Sequence, residues 1–345
     1  MHSFASDNNS GVHPEVMRAL LEADADHALA YGDDGWTRRA VEAVRGALEA
    51  PDAEVLFVYN GTGANVIALG TLLRSHEATI CAAGAHLDVD ECGAPERIVG
   101  GKLLPVEAPG AKLTPELVET RRVGLGDHHH VQPKLIAITQ ASELGQVYTP
   151  GELRTLTDYA HQNGLLVFMD GARLANAAAS LGCSLAEVTT EAGVDAVSVG
   201  GTKNGLMFGE ALVFLRPEQA GPARFQRKQT TQLASKMRYL GAQFEAYLKD
   251  DLWRRNAEQA NAMARRLEAG ARELGLELTE KVEANGLFVR LDPRVAERVR
   301  QSHFFYDWNP ARQEVRWMCS FDTTETEVDD FLEALSVALK EASAG

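Results

Sequence analysis

The sequence predicts a mixed α/β fold: a mostly parallel central sheet flanked by helices, plus a smaller C-terminal α+β unit. Three observations carry this. Short apolar runs alternate with helix-period segments. Glycine is frequent, 30 in 345 residues, and aromatics are only 7%, which suits tight strand-to-helix turns. After residue 215 the alternation gives way to helices and then to two further strands. With 45% hydrophobic residues the chain can fill two cores. We expect a large domain over residues 1–249 and a small one over 250–345, with the N-terminal segment packing on the small one.

The elements follow in order. EVLFVY (54–59) is the first strand. It runs into NGTGAN (60–65) and a helix beginning VIALG, so backbone N–H groups at the helix start would favour an anion. The turn lacks the third glycine of a dinucleotide fingerprint and the lysine of a P-loop, so a plain turn competes with an anion site. ATICA (78–82) and KLIAIT (134–139) are further strands. Pro150 starts a helix and Asn163-Gly164 stops it. LLVFMD (165–170) ends on Asp170, at the strand edge where open sheets hold ligands. A carboxylate there needs a cation, and Arg173 offers a local ion pair. AVSVG (196–200) and EALVFL (210–215) flank a glycine-rich turn that carries Lys203. Residues 222–274 read as long helices, including QLASKMRYLGAQFEAYL, and the last of them bridges to the small domain. GLFVRL (286–291) and EVRWMCSF (314–321) read as antiparallel strands. A closing helix starts at a capping box, Thr324 with Glu327.

Composition excludes several classes. A net charge of −15 repels nucleic acid and anionic membrane. No apolar run reaches membrane-spanning length, and the start MHSFASDNNSG has no secretory pattern. The four cysteines match no zinc or redox spacing, so free thiols and a cytoplasmic location are expected.

Taken singly, the turn at 60–65, Asp170 and Lys203 each have a plain structural reading. Taken together and in order they match what pyridoxal 5′-phosphate needs. A helix N-terminus takes the phosphate, a carboxylate keeps the ring nitrogen protonated, and an amine condenses with the aldehyde. On this reading Gly200, Gly201 and Gly205 let the backbone approach the cofactor, with Lys203 as the amine.

At this point the chain resembles the L-threonine aldolase family of fold-type I pyridoxal-phosphate enzymes, most nearly its low-specificity bacterial branch. The carriers are FASDNNSGVHPEV, AYGDDGWT, VYNGTGAN, HLDVDECGAPE, MDGARLANA, GGTKNGLMFGEA and KQTTQLASKMRYLGAQ. The resemblance implies retro-aldol cleavage of L-threonine, L-allo-threonine and related β-hydroxy-α-amino acids such as phenylserine to glycine and an aldehyde. It also implies a homotetramer with active sites at subunit interfaces. It gives Ser6 and Arg316 to the substrate carboxylate, Gly61 and Thr62 to the cofactor phosphate, and His86 to the face of the ring. It gives Asp170 to the ring nitrogen, Arg173 to the ring hydroxyl and carboxylate region, and Lys203 to the imine. His129 matches the family's second active-site histidine, so His86 and His129 are the candidate bases. Lys228 and Arg238 fall where the family reaches a neighbouring subunit's site. The chain departs from many members at Asn8 and Thr202.

Alternatives stay open. Another pyridoxal-phosphate reaction on this fold (β-elimination, transamination or racemisation) shares the same cradle. A non-catalytic binding protein would not need the amine. A dinucleotide dehydrogenase rests on Gly61-Thr62-Gly63 alone. No metal site is expected at His128-His129-His130, because successive side chains in an extended loop diverge.

Overall fold

Alternate residues of the apolar runs bury on opposite faces, and this sets the architecture. In this computed structural model, which describes residues 2–344, Phe57, Ile80, Ile136, Met169 and Val213 pack on one face of a sheet. Leu56, Cys81, Leu135, Phe168 and Leu212 pack on the other. Strands buried on both sides need helices on both sides.

The described strands are β1 (His2–Ser3), β2 (Glu54–Val58), β3 (Glu77–Ala82), β4 (Lys102–Val106), β5 (Gln132–Thr139), β6 (Leu166–Gly171), β7 (Ala196–Gly200), β8 (Glu210–Phe214), β9 (Glu277–Leu278), β10 (Gly286–Arg290), β11 (His303–Phe304), β12 (Tyr306–Asn309) and β13 (Glu314–Met318). Seven form the large sheet in the order β2-β8-β7-β6-β5-β3-β4. β8 runs antiparallel to both neighbours, and the pairs from β7 to β4 are all parallel. Helices Gly35–Ala47, Pro150–Gln162, Leu174–Leu181 and Arg238–Leu248 cover one face, and Gly61–Leu72 covers the other. The helix Pro150–Gln162 starts as expected: Thr149 Oγ1 accepts from Glu152 N at 3.2 Å and Glu152 Oε2 accepts from Thr149 N at 2.7 Å.

Two expectations need amendment. β4 is a strand the sequence reading passed over. Its Pro105 disguises it, yet a proline is tolerated at a sheet edge, where β4 lies. The helical stretch from 222 is also broken. Helices Ala223–Gln229 and Arg238–Leu248 are separated by residues 230–237, where Thr231 takes a φ of 64°. Such a left-handed backbone ends a helix.

The C-terminal part builds a four-stranded antiparallel sheet, β12-β13-β10-β9. Leu287, Val289, Val315 and Trp317 pack under helices Leu252–Glu273 and Glu325–Ala344. The capping box is present, with Glu327 Oε2 accepting from Thr324 N at 2.7 Å. Helix Leu252–Glu273 enters both cores, through Trp253 and Ala257 in one and Met263 and Leu267 in the other. The N-terminus joins the second core: β1 pairs with β11, and the rings of Phe4 and Phe331 lie 4.5 Å apart. No helix among the described residues is long and apolar enough to cross a membrane.

Candidate active site

The sheet delivers its chemistry to one edge. β2, β3, β5, β6 and β7 point the same way, so their carboxyl ends share a rim, and the reversed β8 begins there. A cavity of 340 Å³ opens at that rim, the expected place for a ligand in an open α/β sheet. Asn60, Gly61, Thr62 and Asn65 reach it after β2, and His86 and Glu91 after β3. β5 and its following turn supply Thr139 and Glu143, β6 supplies Asp170, and Arg173 follows it at the start of the helix Leu174–Leu181. Lys203 follows β7, and Glu210 opens β8.

The helix Gly61–Leu72 starts at Asn60, whose side chain accepts from Gly63 N at 2.8 Å while its carbonyl accepts from Ala64 N at 3.1 Å. The N–H groups of Gly61 and Thr62 thus remain as first-turn donors on the cavity wall, an arrangement that favours an anion. Gly63 serves packing: a Cβ there would lie 2.3 Å from Cδ of Gln232, whose Oε1 accepts from Tyr59 N at 2.9 Å.

Asp170 is 6% exposed. Its Oδ1 accepts from Ala172 N at 2.9 Å and its Oδ2 from Asn65 Nδ2 at 2.8 Å. The expected Asp170–Arg173 ion pair does not form. Arg173 instead grips Asp7 with two bonds, Nε to Oδ2 at 2.7 Å and Nη2 to Oδ1 at 2.9 Å, and Asn285 Nδ2 adds a third to Asp7 at 3.0 Å. Burial raises the Asp7 carboxyl, but Arg173, Lys203 and these hydrogen bonds outweigh it and hold it below its usual value.

Lys203 sits on a single 3-10 turn, Thr202–Asn204. Burial pulls its ammonium below the usual lysine range and Arg173 adds repulsion, while Asp7, Asp170 and Glu210 oppose. A depressed amine is the form that attacks a carbonyl. The glycines around it correct the sequence reading. A Cβ on Gly200 would meet Ala172 O at 2.6 Å, and one on Gly201 would meet Leu206 Cδ1 at 2.2 Å. Both glycines are required by protein packing, and Gly205 by its φ of 103°. Glu210 Oε2 accepts from Gly201 N at 3.0 Å, and burial pushes its carboxyl up to about 7.

His86 Nδ1 lies 3.1 Å from Glu91 Oε1. That hydrogen bond raises the imidazole above its ordinary value against the pull of burial. Glu143 Oε1 accepts from His86 N at 3.0 Å and from Thr139 Oγ1 at 2.7 Å, and burial raises its carboxyl.

Of the residues expected from sequence, Gly61, Thr62, His86, Asp170, Arg173 and Lys203 line this cavity. Ser6 and Arg316 lie outside this lining; Ser6 lines a smaller recess with Ser3, Asn9 and Ser320, and it caps the turn Asp7–Asn9. Arg316 stands over Trp308 at 4.9 Å and donates to Ala5 O at 3.3 Å, leaving a buried Nε without a partner. Burial and then Arg173 pull its guanidinium down to about 10. His129, Lys228 and Arg238 lie outside the cavity lining. Lys228 stands 5.4 Å from the Tyr31 ring, and Arg238 donates to Asp26 O at 2.8 Å. His129 is exposed. The premise that its loop splays its side chains is corrected: Asp127, His128 and His129 bring one ligand atom each within 4.8 Å of one another. Sequence reasoning missed Asp7, Asn65, Glu91, Glu143 and Glu210. All but Glu143 lie inside segments it had singled out, but Asp7 and Glu91 sit among other polar residues, so nothing local marks them.

Comparison with known proteins agrees with this geometry. Residues 3–293 match the beta-eliminating lyase family. A low specificity L-threonine aldolase of Pseudomonas sp. is 42% identical over 327 residues, covering 94% of each chain. That of Pseudomonas aeruginosa is 44% identical over 322 residues, covering 93% of each. A threonine aldolase of Leishmania major superposes with a TM-score of 0.93 at 32% identity, over 98% of this chain and 99% of the other. The chain belongs to the beta-eliminating lyase family and, within it, to the low specificity L-threonine aldolases.

Proposed function

We propose that this chain is a lyase that cleaves L-threonine, L-allo-threonine and related β-hydroxy-α-amino acids between Cα and Cβ, giving glycine and an aldehyde. One observation carries the reading: an amine, a buried carboxylate and a helix start converge on one 340 Å³ cavity. That donor set fits pyridoxal phosphate. When bound, the cofactor supplies the ring that accepts the electron pair of the broken bond.

The protein's own groups do the rest. The Gly61 and Thr62 N–H groups would take the phosphate and Asp170 would hold a proton at the ring nitrogen. Lys203 Nζ would make the covalent link. Arg316, with an unpartnered Nε beside the N-terminal segment, and Ser6 would bind the substrate carboxylate. This orients the scissile bond. His86 would stack on the ring, and its Nε2 would take the β-hydroxyl proton.

Exposed His129 and the basic Lys228 and Arg238 would serve a neighbouring copy's cavity in a homotetramer. Phe225, 74% exposed three residues from Lys228, supports an interface on that surface. A cytoplasmic location fits four cysteines that are all free. The two sheets with separate cores support a domain division near residue 250.

The test is a product assay with threonine, allo-threonine and phenylserine of both hands at Cα. Glycine plus aldehyde is expected from the L forms. Oxobutyrate from threonine would instead favour β-elimination, the reaction in the family's name.

A further inference from the structure

The cavity contains a carboxylate to which the proposed reaction gives no task. Glu91 is 4% exposed, and its side chain has two partners, Asn65 Nδ2 at 2.8 Å and His86 Nδ1 at 3.1 Å. Its Oε2 has none. Among the described residues no guanidinium or ammonium pairs with it, and the nearby Arg173 is committed to Asp7. Burying a carboxylate on such terms is a poor device for stability. It makes sense if the charge acts on His86.

Asn65 strengthens the case. One Nδ2 bonds both Glu91 Oε1 and Asp170 Oδ2, each at 2.8 Å. A neutral amide holds two buried carboxylates in register and cancels neither charge. The three side chains come from the helix after β2, the segment after β3 and the end of β6, so the sheet itself sets their spacing.

We propose that Glu91 is the positioning residue for His86: it accepts the Nδ1 hydrogen and leaves Nε2 as the nitrogen that exchanges a proton in the cavity, while Asn65 fixes Glu91 relative to Asp170. A histidine tautomer is set by the bond its other nitrogen makes. The groups facing the imidazole are Glu91 and Asp170, which favour its charged form, and Lys203, which with burial disfavours it. Glu143 takes the backbone N–H of His86 and fixes the main chain below the ring. The proton-transfer role rests on the aldolase reading; the tautomer and the titration do not.

The test follows diethyl pyrocarbonate modification of His86 in the holoenzyme, peptide by peptide against pH, alongside the pH profile of kcat/KM. In Glu91→Gln the modification inflection should fall by about one pH unit or more, the usual effect of losing an opposite charge at contact. The acid limb of kcat/KM should move the same way, with the bound cofactor's absorbance unchanged, and Glu91→Asp should recover part of the shift. Asn65→Ala, which removes the competing donor from Glu91 Oε1, should move the inflection up. A merely structural role would not produce opposite signs at two touching residues. In a His86→Asn background, Glu91→Gln should bring no further loss of kcat/KM. An inflection unmoved in Glu91→Gln, or the same fold-loss with and without His86, would overturn the proposal. Should Glu91→Gln not fold, an unchanged or lowered inflection in Asn65→Ala overturns it. Failure to cleave threonine would sink the aldolase reading and leave the modification result standing.

Discussion

The cavity and the packing behind it hold buried carboxylates by opposite means. On the floor, Asp170 and Glu91 are tied by the neutral amide of Asn65. Behind Arg173 and outside the cavity lining, Asp7 is fully buried and gripped by the Arg173 guanidinium. The amide fixes position and leaves charge free to act on a ligand. The guanidinium neutralises the charge it binds, so Asp7 fastens the N-terminal segment to the large sheet. On the proposed reading, the difference separates a carboxylate for chemistry from one for architecture.

Substitutions can break or sharpen this contrast. Lys203→Ala removes the amine over the floor and should abolish both threonine cleavage and the visible absorbance of the bound cofactor. Retention of both would remove Lys203 from the chemistry. Asp170→Asn keeps an acceptor for Asn65 and deletes the charge, so kcat should fall about 10³-fold with the fold intact. A normal kcat would mean that the floor's charge is not what matters. Asp7→Asn should behave the other way, with a loss of about 3 kcal/mol of stability read by chemical denaturation. Its pH signature has a fixed sign. The folded-state carboxyl lies below the usual 3.8, so its contribution is complete above that value and is lost as pH falls through the folded value. The variant should therefore flatten the acid limb of the stability profile. The smallest effect is at Arg316→Ala, which should raise KM for threonine at least about tenfold, as loss of a charged hydrogen bond would. An unchanged KM would take Arg316 off the substrate carboxylate.

Much of this was readable before the structure. Strand ends betray themselves by an apolar run that stops on a charge, and Asp170 did so. Lys203 stood out because glycines surrounded it, although the structure shows those glycines serving packing against Ala172 and Leu206. What escaped was held by distance in sequence. Asp7 meets Arg173 across 166 residues, and Asn65 meets Asp170 across 105, so no local pattern could pair them. The nearest cation to Asp170 in sequence was therefore the wrong partner to assign. β4 escaped for a different reason: its proline argues against a strand until the strand is known to lie at an edge.

The opening residues act as a strap with three buckles. β1 pairs with β11, Phe4 plugs the second core against Phe331, and Asp7 fastens to Arg173 on the wall of the cavity. Losing those few residues would unpair a strand, open a hole in the second core and free a guanidinium on the cavity wall.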